Sequence, residues 1–172
     1  LAASQGAFAQ WRTLPFSERA SFLMRAAVLL EERKERYAVI MAREMGKPVS
    51  TGINEITKCA WVCRYYAEHA ESLLSNEVIQ SDAAKSYVRF DPLGCVLAVM
   101  PWNYPFWQVF RFAAPALMSG NVGLLKHASN VPQCATAIEQ LFLDAGCPLG
   151  VFQTIFIPSS DVASLIQDDR IV

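Results

Sequence analysis

Apolar residues recur at helical spacing between Ser17 and Gly46. Phe22, Leu23, Ala26, Leu29, Leu30, Tyr37, Ile40 and Met41 line one side, with arginine, glutamate and lysine between them. Ser17 stands where an N-cap is expected and Gly46 where a helix stops. Pro48 opens a second helical segment with Ile53, Ile56, Ala60, Trp61, Tyr65 and Ala67 on one side, ending by Asn76. Neither segment holds a nucleotide-binding glycine pattern, so both read as scaffold.

The period changes near residue 86. "SYVRF" alternates and predicts a strand, and Asp91-Pro92-Leu93-Gly94 predicts a turn. "CVLAVM" is a continuous apolar run of strand length, as expected of a parallel strand buried on both faces. "PFWQVFRFAAPALMSG" predicts a helix ending at Gly120, "NVGLLK" a second buried strand, and "NVPQCATAIEQLFLDAG" a helix from near Asn130 to Gly146. "GVFQTIF" predicts a third strand and "SSDVASLIQ" a serine-capped helix. Strand and helix alternating in this way imply right-handed crossovers and a parallel sheet covered on both faces, an α/β class.

Composition adds exclusions. A chain of 172 residues with 53% hydrophobic and 18% charged residues builds a core and is not a disordered composition. A net charge of -1 offers no field for nucleic acid or an acidic membrane surface. The longest apolar stretch, "GCVLAVMPWNYPFW", is broken by Pro101 and Pro105 and falls short of the roughly 18 residues of a membrane span. The opening "LAASQGAFAQWR" lacks the basic start of a signal peptide. Cys59, Cys63, Cys95, Cys134 and Cys147 make an odd set, expected as reduced, buried thiols of a cytoplasmic protein. Cys59 and Cys63 share a helix face, but two ligands make no zinc site and no metal is expected.

Ligands of open parallel sheets bind at the carboxyl ends of the strands. Two loops leave there: Pro101-Trp102-Asn103-Tyr104-Pro105 and Lys126-His127-Ala128-Ser129-Asn130. Lys126, at a strand end, either points into water or meets the hydroxyls or phosphate of a nucleotide. Asn103 carries an amide that donates two hydrogen bonds and never ionises, between two prolines that stiffen its loop. It either donates to an oxyanion or closes a cap or Asx turn. No G-x-G-x-x-G occurs, and Gly120-Asn121-Val122-Gly123 precedes a strand and lies at the wrong end.

The blocks "PWNYP", "PALMSGNVGLLKHAS" and "DAGCPLGVF", in that order, carry a resemblance to the aldehyde dehydrogenase superfamily; "YYAEHAESLL" upstream looks like the same family. Within it, "AVMPWNYPFWQVFR" with "LLKHASN" is similar to bacterial succinate-semialdehyde dehydrogenases. The resemblance implies N-terminal helices over 1–85, an oligomerisation arm strand and turn over 86–93, and an incomplete Rossmann-like cofactor-binding domain over 94–172. It makes Asn103 the donor to the aldehyde oxygen and its thiohemiacetal oxyanion, within a pocket whose aromatics exclude water. It puts Lys126 on the adenosine ribose and Met100, Pro101 and Trp102 on the nicotinamide side. Ser129 stands where NAD-preferring members often carry glutamate. Its lack of a carboxylate implies that NADP is accepted alongside or ahead of NAD. His127 reads as a bystander. The arm implies a homodimer or homotetramer acting on a small aldehyde, probed by neither nucleic acid nor membrane.

The family's nucleophilic cysteine, general-base glutamate and cofactor-phosphate turn would follow Val172, and none of the five cysteines stands in the nucleophile's context. The chain therefore reads as a truncated piece of an NAD(P)-dependent aldehyde dehydrogenase, inactive alone. The alternative is a non-catalytic half-domain that binds nucleotide or a partner chain.

Overall fold

A computed structural model describes residues 1–172. Three helices open the chain: α1 (Ala2–Trp11), α2 (Phe16–Met45) and α3 (Val49–Leu73). α2 begins directly after Pro15, so Ser17 lies inside its first turn and caps nothing. Gly46 ends it as expected, in the left-handed conformation at φ 74°, with its N–H bonded to the Ala42 carbonyl. The chain turns at Lys47 and Pro48 and α3 returns along α2. The two approach closely at Gly52, where a Cβ would stand 2.9 Å from that of Ala38. Leu23, Ala26, Leu30 and Met41 of α2 and Ile56 and Ala60 of α3 are fully buried as expected from their period, whereas Trp61 and Tyr65, expected on the same side of α3, are exposed and Cys59 and Cys63 take the buried side.

Beyond α3 lies a ribbon of two short antiparallel strands, β1 (Glu77–Val78) and β2 (Tyr87–Val88). The strand expected over "SYVRF" is thus reduced to two residues, and its Tyr87 and Val88 stay exposed, as does Val78 of β1 at 75%. Asp91 to Leu93 forms no turn, the chain only bending at Gly94, and the side-chain oxygen of Asn121 accepts the N–H groups of Leu93 and Gly94.

The rest is a parallel sheet of β3 (Cys95–Met100), β4 (Val122–His127) and β5 (Phe152–Thr154), with β4 central. α4 (Trp107–Met118) and α5 (Pro132–Asp144) make the crossovers. Both crossovers step the same way across the sheet, so both helices cover one face. Phe110 of α4 stacks on Phe142 of α5 at 5.3 Å, and Phe142 packs on Phe152 of β5 at 4.6 Å. α2 and α3 form a further layer outside them. α1 lies on the opposite face, where the Ser4 hydroxyl donates to the Gln153 side chain at 2.8 Å. Gln5 and Phe8 sit by Cys95 at the start of β3, and α1 leaves the far ends of the strands open. Val99 is therefore 53% exposed, and the expectation that β3 is buried on both faces fails at its carboxyl end.

A 3-10 turn at Ser159–Asp161 leads into α6 (Val162–Ile166), with no serine side chain capping it. The chain then returns to β3: Ile171 bridges Cys95 in parallel and the Val172 N–H bonds the Cys95 carbonyl. β3 thus has β4 on one side and the end of the chain on the other. The direction of winding reverses at β3, and the loop leaving its carboxyl end is the one that carries Asn103.

Candidate functional site

The register pairs Val99 with Lys126 and Met100 with His127, so the loops after β3 and β4 leave the sheet side by side. Between them the Ala128 N–H donates to the Met100 carbonyl at 3.0 Å. Pro101, Trp102, Asn103 and Tyr104 are exposed, and Trp102 and Tyr104 keep 49% and 46% of their surface. The aromatic loop therefore does not enclose a water-poor pocket within residues 1–172. No element of this length of chain covers it.

The Asn103 amide makes no hydrogen bond within the chain, and the N–H groups at the start of the next helix are met by another residue. Glu55, on the buried side of α3, accepts the N–H groups of Phe106 and Trp107 at 2.9 Å each, at the amino end of α4. A carboxylate there satisfies donors that have no partner inside the helix and faces the positive end of its dipole. Lys47 pairs with the other oxygen of Glu55, and its ammonium lies 3.9 Å over the Tyr104 ring. His127 approaches from β4, its Nε2 2.9 Å from the Pro105 carbonyl. The base of the loop is thus held by three elements while the amide at its crest stays free.

Lys126 offers a different kind of vacancy. It is 7% exposed, as is Lys47, but Lys47 has Glu55 and Lys126 has neither hydrogen bond nor ion pair. Its stem is packed away while its ammonium still reaches the surface, so it is a free donor that a ligand could engage. The pleat sets Lys126 and Val99 on the face away from α4 and α5, and Met100 and His127 on the other. Of the residues expected on the nicotinamide side, Met100 therefore turns its side chain into the α4 side, while Pro101 and Trp102 are open. Ser129 is exposed in the turn after β4 and makes no hydrogen bond.

All five cysteines are buried. Burial raises their pKa values, that of Cys147 to about 12, so they are poor nucleophiles at neutral pH. Sequence reasoning missed Glu55 and Lys47. The available signal was an acid on the apolar side of α3, between Gly52 and Ile56. It missed Glu44 too, whose carboxylate accepts the N–H groups of Gln133 and Cys134 at the start of α5.

A parallel sheet that reverses at β3, with a free amide and an unpaired lysine at its carboxyl edge, is a Rossmann-like α/β fold. The chain belongs to the aldehyde dehydrogenase family, whose sequence profile matches residues 1–172. It is 55% identical over 168 residues to a probable NADP(+) succinate-semialdehyde dehydrogenase of Synechocystis, covering 98% of this chain and 37% of that protein. Succinate-semialdehyde dehydrogenase [NADP(+)] 1 of Mycobacterium tuberculosis (strain H37Rv) is 49% identical over 169 residues, covering 95% of this chain and 36% of that protein. Among solved structures, the succinic semialdehyde dehydrogenase of Streptococcus pyogenes in complex with NADP(+) superposes with a TM-score of 0.94 at 34% identity, over 98% of this chain and 37% of that one. The chain thus spans a little over a third of the length of these relatives. No helix is long and apolar enough to cross a membrane.

Proposed function

We propose that the protein to which this chain belongs oxidises an aldehyde, succinate semialdehyde foremost, to the carboxylate with NADP(+), through a covalent thiohemiacetal. The observation that carries this reading is the Asn103 amide, unengaged at the crest of a loop anchored on α3, β4 and Lys47. When a thiolate attacks an aldehyde carbon, negative charge gathers on the carbonyl oxygen. A neutral donor already positioned for that oxygen stabilises the transition state more than the ground state. Asn103 supplies that donor. The thiolate and the general base come from outside residues 1–172, because the five buried thiols here are held protonated and packed in the core.

The residues at the open face fit a dinucleotide. Val99 presents exposed apolar surface there, and Lys126 adds an unpaired donor that suits ribose hydroxyls. Pro101 and Trp102 lie beside it. NADP(+) supplies the hydride acceptor when bound. Ser129, exposed and free of negative charge, leaves room for a 2′-phosphate, in keeping with relatives named for NADP(+). The β1–β2 ribbon, with Val78, Ile79, Tyr87, Val88 and Phe90 exposed, serves as the arm that pairs with a second copy in a homodimer or homotetramer.

The test is the full-length protein with succinate semialdehyde and either NADP(+) or NAD(+), followed at the absorbance band of the reduced nicotinamide. Turnover, faster with NADP(+), is the expected result. Absence of turnover with both cofactors while NADP(+) still binds in calorimetry would favour the non-catalytic reading, a nucleotide-binding half-domain.

A further inference from the structure

His127 closes β4 and is 5% exposed. Its ring lies between the two site loops and bonds only to backbone. On one side Nδ1 stands 2.9 Å from the Ala128 nitrogen and shares its N–H with the Met100 carbonyl, the arrangement of an Nδ1 that accepts with its lone pair. The proton of the neutral ring is then on Nε2, which faces the Pro105 carbonyl at 2.9 Å. With Nε2 facing a carbonyl, which can only accept, the ring is assigned the tautomer that carries its proton there. Pro105 has no N–H of its own, and residues 102–104 donate no backbone hydrogen bond. Between the end of β3 and the start of α4, the bond from His127 is the one that ties the loop to the sheet.

We propose that His127 is a positioning residue for Asn103: its Nε2–H holds the Pro105 carbonyl and so fixes the loop from which the amide reaches the aldehyde oxygen. The proposal rests on the reading of Asn103 as the oxyanion donor. His127 touches neither substrate nor cofactor. It acts by keeping the donor where charge develops, and displacements near 1 Å cost rate steeply in such sites.

Glutamine places an amide nitrogen near the position of Nε2, whereas asparagine reaches only as far as Nδ1. The experiment compares His127→Ala, His127→Asn and His127→Gln in the full-length enzyme. Steady-state kinetics with NADP(+), thermal unfolding and hydrogen-exchange mass spectrometry of the peptides spanning 102–108 and 126–130 are recorded for each. The expected result is faster exchange at Phe106 and Trp107 and a kcat lower by about tenfold in the Ala and Asn variants. Their KM for NADP(+) stays near wild type, and the Gln variant recovers both kcat and exchange. The proposal is overturned if kcat in His127→Ala stays within about twofold of wild type, if exchange in 102–108 is unchanged, or if His127→Gln unfolds at the wild-type temperature without recovering kcat. Asn103→Ala in the same assay separates the two readings. If it retains turnover, the role of Asn103 fails and the positioning role with it. If it loses turnover while His127→Ala does not, the positioning role alone falls.

Discussion

Two asparagines mark opposite ends of the same sheet. Asn121, just before β4, is used up by the fold: its oxygen accepts the N–H groups of Leu93 and Gly94, and its nitrogen donates to the Ser119 hydroxyl at 2.8 Å. Asn103, after β3, gives nothing to the fold. Its natural local task, capping α4, is carried out by Glu55 from another helix. The same amide is consumed by the fold where the chain surrounds it with partners and left available for a ligand where the chain holds its backbone and leaves its side chain free.

The comparison breaks first at Glu55. Glu55→Ala strands the buried Lys47 and unpairs two N–H groups at the start of α4, with an expected loss of roughly 3 to 5 kcal/mol in stability, read by chemical denaturation of the full-length protein. A loss below about 1 kcal/mol would mean that the loop is anchored without it. Asn103→Ala is the complement. Turnover should fall by about 10²-fold or more with no change in unfolding temperature, because one oxyanion donor goes and no internal bond does. Asn121→Ala should do the reverse: it leaves two N–H groups without an acceptor, for about 1 to 3 kcal/mol of stability, with NADP(+) binding at the far end of the sheet unaffected. If Asn103→Ala lost stability and Asn121→Ala lost turnover at full stability, the contrast between the two asparagines would be inverted.

Much of this was legible in the sequence, and the unread part has a physical cause. β3 and β4 are continuous apolar runs between punctuating residues, and α2 and α3 are long enough for their period to be plain. The loops at Asn103 and Lys126 follow from placing those strands in parallel. Which partner each polar group finds did not follow. Periodicity puts Glu55 on the buried side of α3 but does not say that α4 presents its amino end there. Ser17 has the chemistry of a cap, yet Pro15, two residues earlier, already sets the start of α2. His127 looked like a bystander because its partners, Pro105 and Ala128, are backbone atoms and leave no trace in side-chain pattern. The exposure of Trp102 and Tyr104 is likewise invisible to composition, since it depends on what packs over the loop.

Ser129→Glu sharpens the comparison at the other loop. A carboxylate there repels the 2′-phosphate, so KM for NADP(+) should rise by about tenfold while that for NAD(+) changes little. Equal changes for the two cofactors would remove Ser129 from the specificity argument.

The smallest expected effect is one of pH, and it again sets a group bound by the fold against one left free. Burial lowers the pKa of His127 below the usual 6.5, the Pro105 and Met100 carbonyls and the charge of Glu44 oppose that shift, and Lys126 adds to it. Above pH 6.5 the ring is neutral whether the chain is folded or not, and it contributes nothing to the pH dependence of stability. Below 6.5 the unfolded chain takes up a proton that the folded chain refuses. The unfolded state then binds more protons, so stability falls as pH falls, by at most about 1.4 kcal/mol per pH unit for one group. His127→Gln cannot titrate and keeps the bond to Pro105. Its stability relative to wild type should therefore rise as pH is lowered from 7 towards 5. Asn103→Ala should track wild type across that range, because an amide without internal partners has no proton linkage to lose. A His127→Gln difference that stayed flat with pH would mean that the folded ring accepts its proton as readily as the unfolded one, and that the backbone on its two sides does not hold it neutral.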